Sequence, residues 1–448
     1  MSISHKLNLA LSMEDDAPNV QVNIDTDEGG MPLDDVVATD DGDFEPTPEA
    51  DAAEITERAE EIAEDNDDIE DMEVATESLI ATYEAMARAQ RNGGLTREAA
   101  TFAAISVESV MGKYNVGYED VGISLESFDD NKARATTVSM EGIGQALKDL
   151  WEAIVKKFKE MVKKIVDFYQ KTIAAAPRIK RRAQGIRKKA ENTTGSAEES
   201  TVKTGLFGQL NIQGRVPSAS DIVQGIVKSR GSFEKNVSKS SLKTKLKNLF
   251  NVDNFDGNTV WNEIEKELGN INNGIPVKID KLPGNNAIYV EAKASTNVKD
   301  GDGSKIAMEM ITGFKFGIFE DKAGVKNDKD NREKEFPVLK KDEVITICDN
   351  IIITMDEIVQ FKTQAVAAFN NANFIEKEGN KLVDKIAKQG EGDSKGIKEG
   401  EARRYLNALA SLTRKIETGE ASIVRYNYTL SKAALSWCMR SLSQYKNS

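Results

Sequence analysis

Apolar positions along this chain fall into blocks with different periods, and in the first block acidic and turn-forming residues break them up. Residues 13–54 carry Asp, Glu, Pro and Gly, as in Asp34-Asp35 and Asp40-Asp41-Gly42-Asp43, with scarcely an aromatic. Such a stretch buries too little apolar surface to offset its ordering entropy, so residues 1–54 are expected to form a disordered acidic arm. From Ile55 onward helical steps begin, with Ile62, Ile69, Met72, Leu79, Ile80, Tyr83 and Met86. Gly93-Gly94 stops that helix, and Thr96, with Glu98 close behind it, caps another from Arg97 to about Gly112. Residues 55–141 therefore predict an acidic section of helices in a loose hairpin.

Gly142 to about Lys189 is the clearest amphipathic element. Ile143, Leu147, Leu150, Ile154, Phe158, Met161, Ile165, Phe168 and Thr172 follow one helical face, and lysines fill the others. Pro177 is expected to kink or end this helix. Asn192–Thr204 reads as a polar linker. Beyond it, short helices are expected at 218–228, 240–251 and 259–268, then strands at 275–279, 287–294 and 311–319, with Asp300-Gly-Asp-Gly303 turning the chain between two of them. Helices resume at 342–370, 373–389, 400–417 and 421–446. The fold class predicted is α+β and mainly helical, with a small antiparallel sheet inside a mixed unit at 205–448.

Charge changes the picture more than composition does. The chain is 39% hydrophobic and 30% charged, with a net charge of −14. Up to Glu141 there are 35 Asp+Glu against 8 Lys+Arg, a net −27; from Gly142 there are 39 against 52, a net +13. The window 142–189 alone holds 14 basic and 4 acidic residues. Lys156, Lys157, Lys163 and Lys164 lie before Pro177, and Arg178, Lys180, Arg181, Arg182, Arg187, Lys188 and Lys189 cluster after it. An acidic front section can thus mask a basic body, and its removal would reverse the sign of the molecule.

Candidate chemistry is sparse. The single histidine, His5, lies in the acidic arm, which argues against His-based acid–base catalysis, a Ser-His-Asp triad and a His-ligated zinc site. No phosphate-binding glycine loop occurs, and Gly142-Ile-Gly144 lacks the strand and third glycine of a dinucleotide loop. Asp300, Asp302 and Ser304 hint at calcium spacing, but Ile311 stands where the loop should close on an acid. No cofactor is implied, and an enzyme is not expected. Cys348 and Cys438 make no paired motif and are expected to be buried thiols of a reducing compartment. No secretory signal opens the chain, and no apolar run is long enough to span a bilayer.

One tripeptide recurs. Ser-x-Glu appears as Ser12-Met-Glu14, Ser106-Val-Glu108, Ser124-Leu-Glu126 and Ser139-Met-Glu141 in the acidic section, and afterwards only at 196–198 and 232–234. Small residue, any residue, glutamate is a plausible protease recognition pattern; chance in a Glu-rich region is the plain alternative. The last of the four stands at the charge reversal, with Gly142 following. The amphipathic helix likewise has three readings open: packing on its own protein, docking on nucleic-acid phosphates, or insertion of Trp151, Phe158, Phe168 and Tyr169 among lipid headgroups.

Three stretches carry a resemblance: Gly122-Ile-Ser-Leu-Glu-Ser-Phe128, Thr136-Thr-Val-Ser-Met-Glu-Gly-Ile-Gly144 and Leu147-Lys-Asp-Leu-Trp-Glu-Ala-Ile-Val-Lys-Lys-Phe158. They resemble internal head proteins of large tailed bacteriophages, especially the giant phiKZ-like myophages. The resemblance implies a precursor made in the host cytoplasm and packed into the prohead with an N-terminal propeptide. It further implies cutting by a prohead protease after small-x-Glu, and a mature product that stays with the packaged phage DNA and other inner-body proteins. Some members of that family leave with the genome. Carried onto this chain, Glu141 is the principal cut, with Ser139, Met140 and Gly142 around it, and Glu14, Glu108 and Glu126 are intermediate cuts. A membrane-active or host-targeting effector released from an acidic pro-region is the alternative.

Overall fold

The computed structural model of the chain describes residues 48–112, 128, 131–231, 257–272, 278–292, 303–321, 334–360, 370–371, 373–381 and 395–445. The arm up to residue 47, the helix expected at 240–251 and the turn at 300–302 lie outside the described residues.

Helix α1 spans Pro48–Arg91, so the last residues of the expected arm are already helical. It ends where Asn92, Gly93 and Gly94 turn the chain, both glycines having positive φ. Gly94 has a second reason to be glycine: a Cβ there would stand 2.5 Å from the backbone of Lys132. Helix α2, Arg97–Met111, starts as expected at Thr96, whose hydroxyl accepts the Ala99 N–H at 3.2 Å.

Helix α3 runs unbroken from Lys132 to Asn192, 61 residues or about 90 Å. It begins ten residues before the expected start and continues through Pro177. Proline removes one backbone donor and crowds the preceding turn, but Pro177 sits on an exposed face while Ala175, Ala176, Ile179 and Ala183 stay buried opposite. The buried Leu147, Trp151, Ile154, Phe158, Met161, Ile165, Phe168 and Thr172 alternate steps of four and three. That is heptad spacing, which suits helices packing along their length. On α1, Ile55, Ile62 and Ile69 answer it at seven-residue steps, all buried.

The region read as a linker ends in strand β1, Thr201–Thr204, and the one-turn helix α4, Phe207–Leu210, follows. Helix α5 covers 219–231 and opens on a capping box, in which Ser218 Oγ accepts the Asp221 N–H and Asp221 accepts the Ser218 N–H. Next come α6, Gly257–Asn272, and strands β2, Lys278–Leu282, and β3, Asn286–Glu291. The run read as one strand at 311–319 is instead the end of helix α7, Gly303–Thr312, followed by β4, Lys315–Glu320. Ala307, Met310 and Ile311 are buried at helical spacing, a pattern that a short continuous apolar run conceals. Strands β2, β3 and β4 form an antiparallel sheet in that order, with Ala287 opposite Phe319. β5, Lys334–Pro337, pairs antiparallel with β1, Val202 opposite Phe336.

Helix α8 spans Lys341–Gln360, a helical stretch α9 covers 373–381, and α10 runs from Lys395 to Leu442. Where two helices were expected to break around residue 419, α10 is continuous. Gly419 is glycine for close approach: a Cβ there would stand 2.3 Å from the Phe316 carbonyl of β4. Ser422, one turn on, donates to the Gly419 carbonyl and accepts the Ile318 N–H. The small sheet is thereby pinned to the C-terminal helix. Three long helices, α1, α3 and α10, pack on one another at one end of this assembly, and α8 lies along the other half of α3. The fold is mainly helical α+β, with its core between the long helices.

Candidate functional site

Helix α1 carries fifteen acidic residues against three basic ones. Its carboxylates divide between two neighbours. Toward α3, Glu54 pairs with Lys171, Asp65 with Lys164 at 2.8 Å, and Asp68 with Lys157. Toward α10, Glu60 pairs with Arg425 at 3.5 Å, Glu70 with Lys415 at 3.4 Å, Glu73 with Arg414 at 2.6 Å and Glu84 with Arg404 at 3.2 Å. Partner numbers fall as α1 advances, so α1 runs antiparallel to both helices and lies in the groove they form. Arg58 with Asp167, at 3.9 Å, is a pair of reversed sense.

Most of these pairs are half-exposed and individually weak. The exception is Glu73–Arg414. Both guanidinium terminal nitrogens meet the carboxylate, at 2.8 and 2.6 Å, and the Arg414 side chain is 1% exposed. The same guanidinium lies 5.8 Å from the ring centre of Phe158 on α3, so this residue joins all three helices. Burial pushes the Glu73 carboxyl up, against the pull of Arg414. The hydrogen bond from Lys157 to Asp68 holds that ammonium's pKa above its ordinary value.

The expected cut lies inside α3. Ser139 is buried, Met140 and Gly142 are half-buried, and Glu141 is exposed. The turns before it are held by the front section: the Leu95 N–H donates to Thr136 at 2.9 Å, and Gln90 donates to Thr137 at 2.9 Å. Bond 141–142 thus becomes extended only when the start of α3 unwinds. Gly142 and Gly144 weaken the helix there. Ser106 and Glu108 are exposed on α2. Glu14 and Glu126 lie outside the described residues.

The structure separates the basic residues singled out from the sequence into those facing neighbouring helices and those left exposed. Lys157 and Lys164 face α1, as above. Lys180 meets Asp356 at 2.6 Å and Arg187 meets Asp349 at 2.7 Å, both on α8. Arg178 and Arg182 are half-buried. Lys156, Lys163, Arg181 and Lys188 stand exposed and fall within about 40° of one another around the α3 axis, at about 100° per residue. They form one basic stripe about 48 Å long; Lys189 is exposed on a different face.

Trp151, Phe158, Phe168 and Tyr169 are all buried, so in this fold they pack on the protein itself. Gly379 of α9 is pressed against the Trp151 indole, where a Cβ would stand 2.0 Å from the ring. Among the described residues no helix is long and apolar enough to cross a membrane, and no group of three or more His, Cys, Asp or Glu could hold a metal ion. Cys348 and Cys438 are free and buried.

Sequence reasoning missed Arg404, Arg414, Lys415 and Arg425. Their signal was faint: Arg404 and Lys415, like Arg414 and Arg425, are eleven residues apart, or about three turns. Glu54 and Asp65, and Glu73 and Glu84, repeat that step on the acidic side.

No curated protein and no solved structure matches this chain. The family model of the phiKZ-like phage internal head proteins matches residues 42–439, from before α1 almost to the end of α10. That match takes in both the acidic front section and the basic remainder, and the chain belongs to the phiKZ-like phage internal head proteins, which places it inside the virion capsid.

Proposed function

We propose that this internal head protein is made as a precursor, that the prohead protease cuts it after Glu141, and that the basic part from Gly142 then lies on the packaged phage DNA. One observation carries the reading: the acidic section ahead of Glu141 is folded onto the basic section behind it, carboxylate to cation, along α3 and α10. A front section with net charge −27 opposes polyanion binding by a body of +13. Removing it leaves the stripe of Lys156, Lys163, Arg181 and Lys188 as the surface that meets phosphates. Four contacts of that kind give affinity falling with salt at a log–log slope of about −3 to −4. Exit with the genome into the host belongs to the same proposal, as does association with other capsid components.

Mass spectrometry of purified virions tests the maturation step. A first mature peptide beginning at Gly142 supports it, and a full-length chain in the particle refutes it. Electrophoretic mobility shifts with duplex DNA test the second step: protein extracted from virions should bind, and the uncut precursor should bind far more weakly at the same salt.

A further inference from the structure

Helix α1 has the composition of a ligand in its site. Ile55, Ile62, Ile69, Leu79, Ile80 and Met86 are each at most 4% exposed. Carboxylates flank this apolar edge on both sides and meet cations of α3 and α10. The reversed pair, Arg58 with Asp167, fixes the register, because slipping by one turn would set Arg58 beside Lys163 or Lys171. A phosphate backbone would match the cations of this groove and leave its apolar floor to water. An amphipathic acidic helix matches both.

We propose that the groove between α3 and α10 is a binding site for an acidic amphipathic helix, that α1 is its resident ligand, and that α1 stays seated there as a separate peptide after the chain is cut. The site stands on the contacts above; only the natural cut rests on the reading under Proposed function. Burying one large aliphatic side chain shifts a partition about ten- to a hundredfold. Six of them outweigh the freedom that a severed helix regains. No Ser-x-Glu tripeptide falls between residues 48 and 91, and the small-x-Glu tripeptides there, ending at Glu54, Glu61, Glu77 and Glu84, are wound into helix α1; cuts after Glu108, Glu126 and Glu141 leave α1 whole. The DNA binding proposed for the mature protein then follows only when α1 has also left the groove, so unmasking is a second event, distinct from cleavage.

The test uses the full chain with a recognition sequence for an added protease placed between α2 and α3. After nicking, the front fragment is expected to co-elute with the remainder in gel filtration at physiological salt and to part from it only in urea. Elution of the front fragment alone at physiological salt overturns the proposal. In the nicked protein, Glu73→Ala, which strands the buried Arg414 guanidinium, is expected to weaken retention at least a hundredfold, and Glu60→Ala, on a side chain 64% exposed, only about two- to fivefold. Equal small losses would mean diffuse charge attraction and would overturn it as well. Excess duplex DNA should leave the fragment bound; displacement by DNA reassigns the groove to phosphate. Because the nick is placed independently of Glu141, a virion lacking the expected cut refutes the maturation reading and leaves the groove result standing.

Discussion

Glu73→Ala is the sharpest perturbation of the three-helix seam. It leaves a guanidinium whose side chain is 1% exposed without its two carboxylate hydrogen bonds of 2.6 and 2.8 Å. Removing one partner of a buried, doubly bonded pair costs about 3–5 kcal/mol, because the stranded charge keeps its desolvation penalty. The pair itself is worth far less. Replacing both members by apolar groups, Glu73→Leu with Arg414→Met, is expected to cost under about 1 kcal/mol. Glu60→Ala, at the exposed end of the same ladder, should cost about 0.2–1 kcal/mol. The assay is urea unfolding of the four proteins, read as a change in midpoint at constant slope. The pH dependence gives a second reading with a worked sign. Burial raises the folded-state value of the Glu73 carboxyl, so its contribution is fully present below the unfolded value of about 4.3 and is lost as pH rises through the folded one. Glu73→Gln should remove that part of the slope. A cost below about 1 kcal/mol for Glu73→Ala, or a double variant as damaging as Glu73→Ala, would refute the reasoning.

Gly419→Ala sets two effects against each other: alanine gains about 1 kcal/mol of helix propensity, but its Cβ meets the Phe316 carbonyl at 2.3 Å. Net destabilisation of about 1–3 kcal/mol in thermal unfolding is expected, and a more stable variant would show the contact to be slack. Gly144→Ala meets nothing within 4 Å, so it should stiffen α3 beside the expected cut and slow processing about fivefold, as followed by immunoblot during infection. Asp221 is held below the usual carboxylate range by Arg215, which bonds it at 2.8 and 3.1 Å, and by Ser218. Its contribution is present above the unfolded value of about 3.9 and is lost as pH falls through the lower folded one, and Asp221→Asn should flatten stability in that acid window. Cys348 and Cys438 are both buried, and burial pushes the Cys438 thiol well up. Neither should react with a thiol reagent until urea unfolds the chain, and rapid labelling of the native protein would contradict the packing of α8 on α10.

Local signals survived into the fold wherever neighbouring residues decide the outcome. Thr96 caps α2 and Gly93-Gly94 ends α1 because caps and positive-φ turns are settled within a few residues. The buried stripe from Ile143 to Thr172 followed from periodicity alone. The sequence also determined by itself that charge reverses around Glu141, since a sum over residues needs no coordinates. Tertiary structure decided the rest. Pro177 was expected to kink or end a helix and residues 418–420 to separate two, yet the helices pass through both because long-range packing outweighs a local preference of a few kcal/mol. Only folding brings Glu73 to Arg414, 341 residues away, and turns two opposite net charges into a paired seam. Charge has a sign in the sequence but a partner only in space, which is why the lysines of α3 could be counted beforehand and divided between α1, α8 and solvent only afterwards.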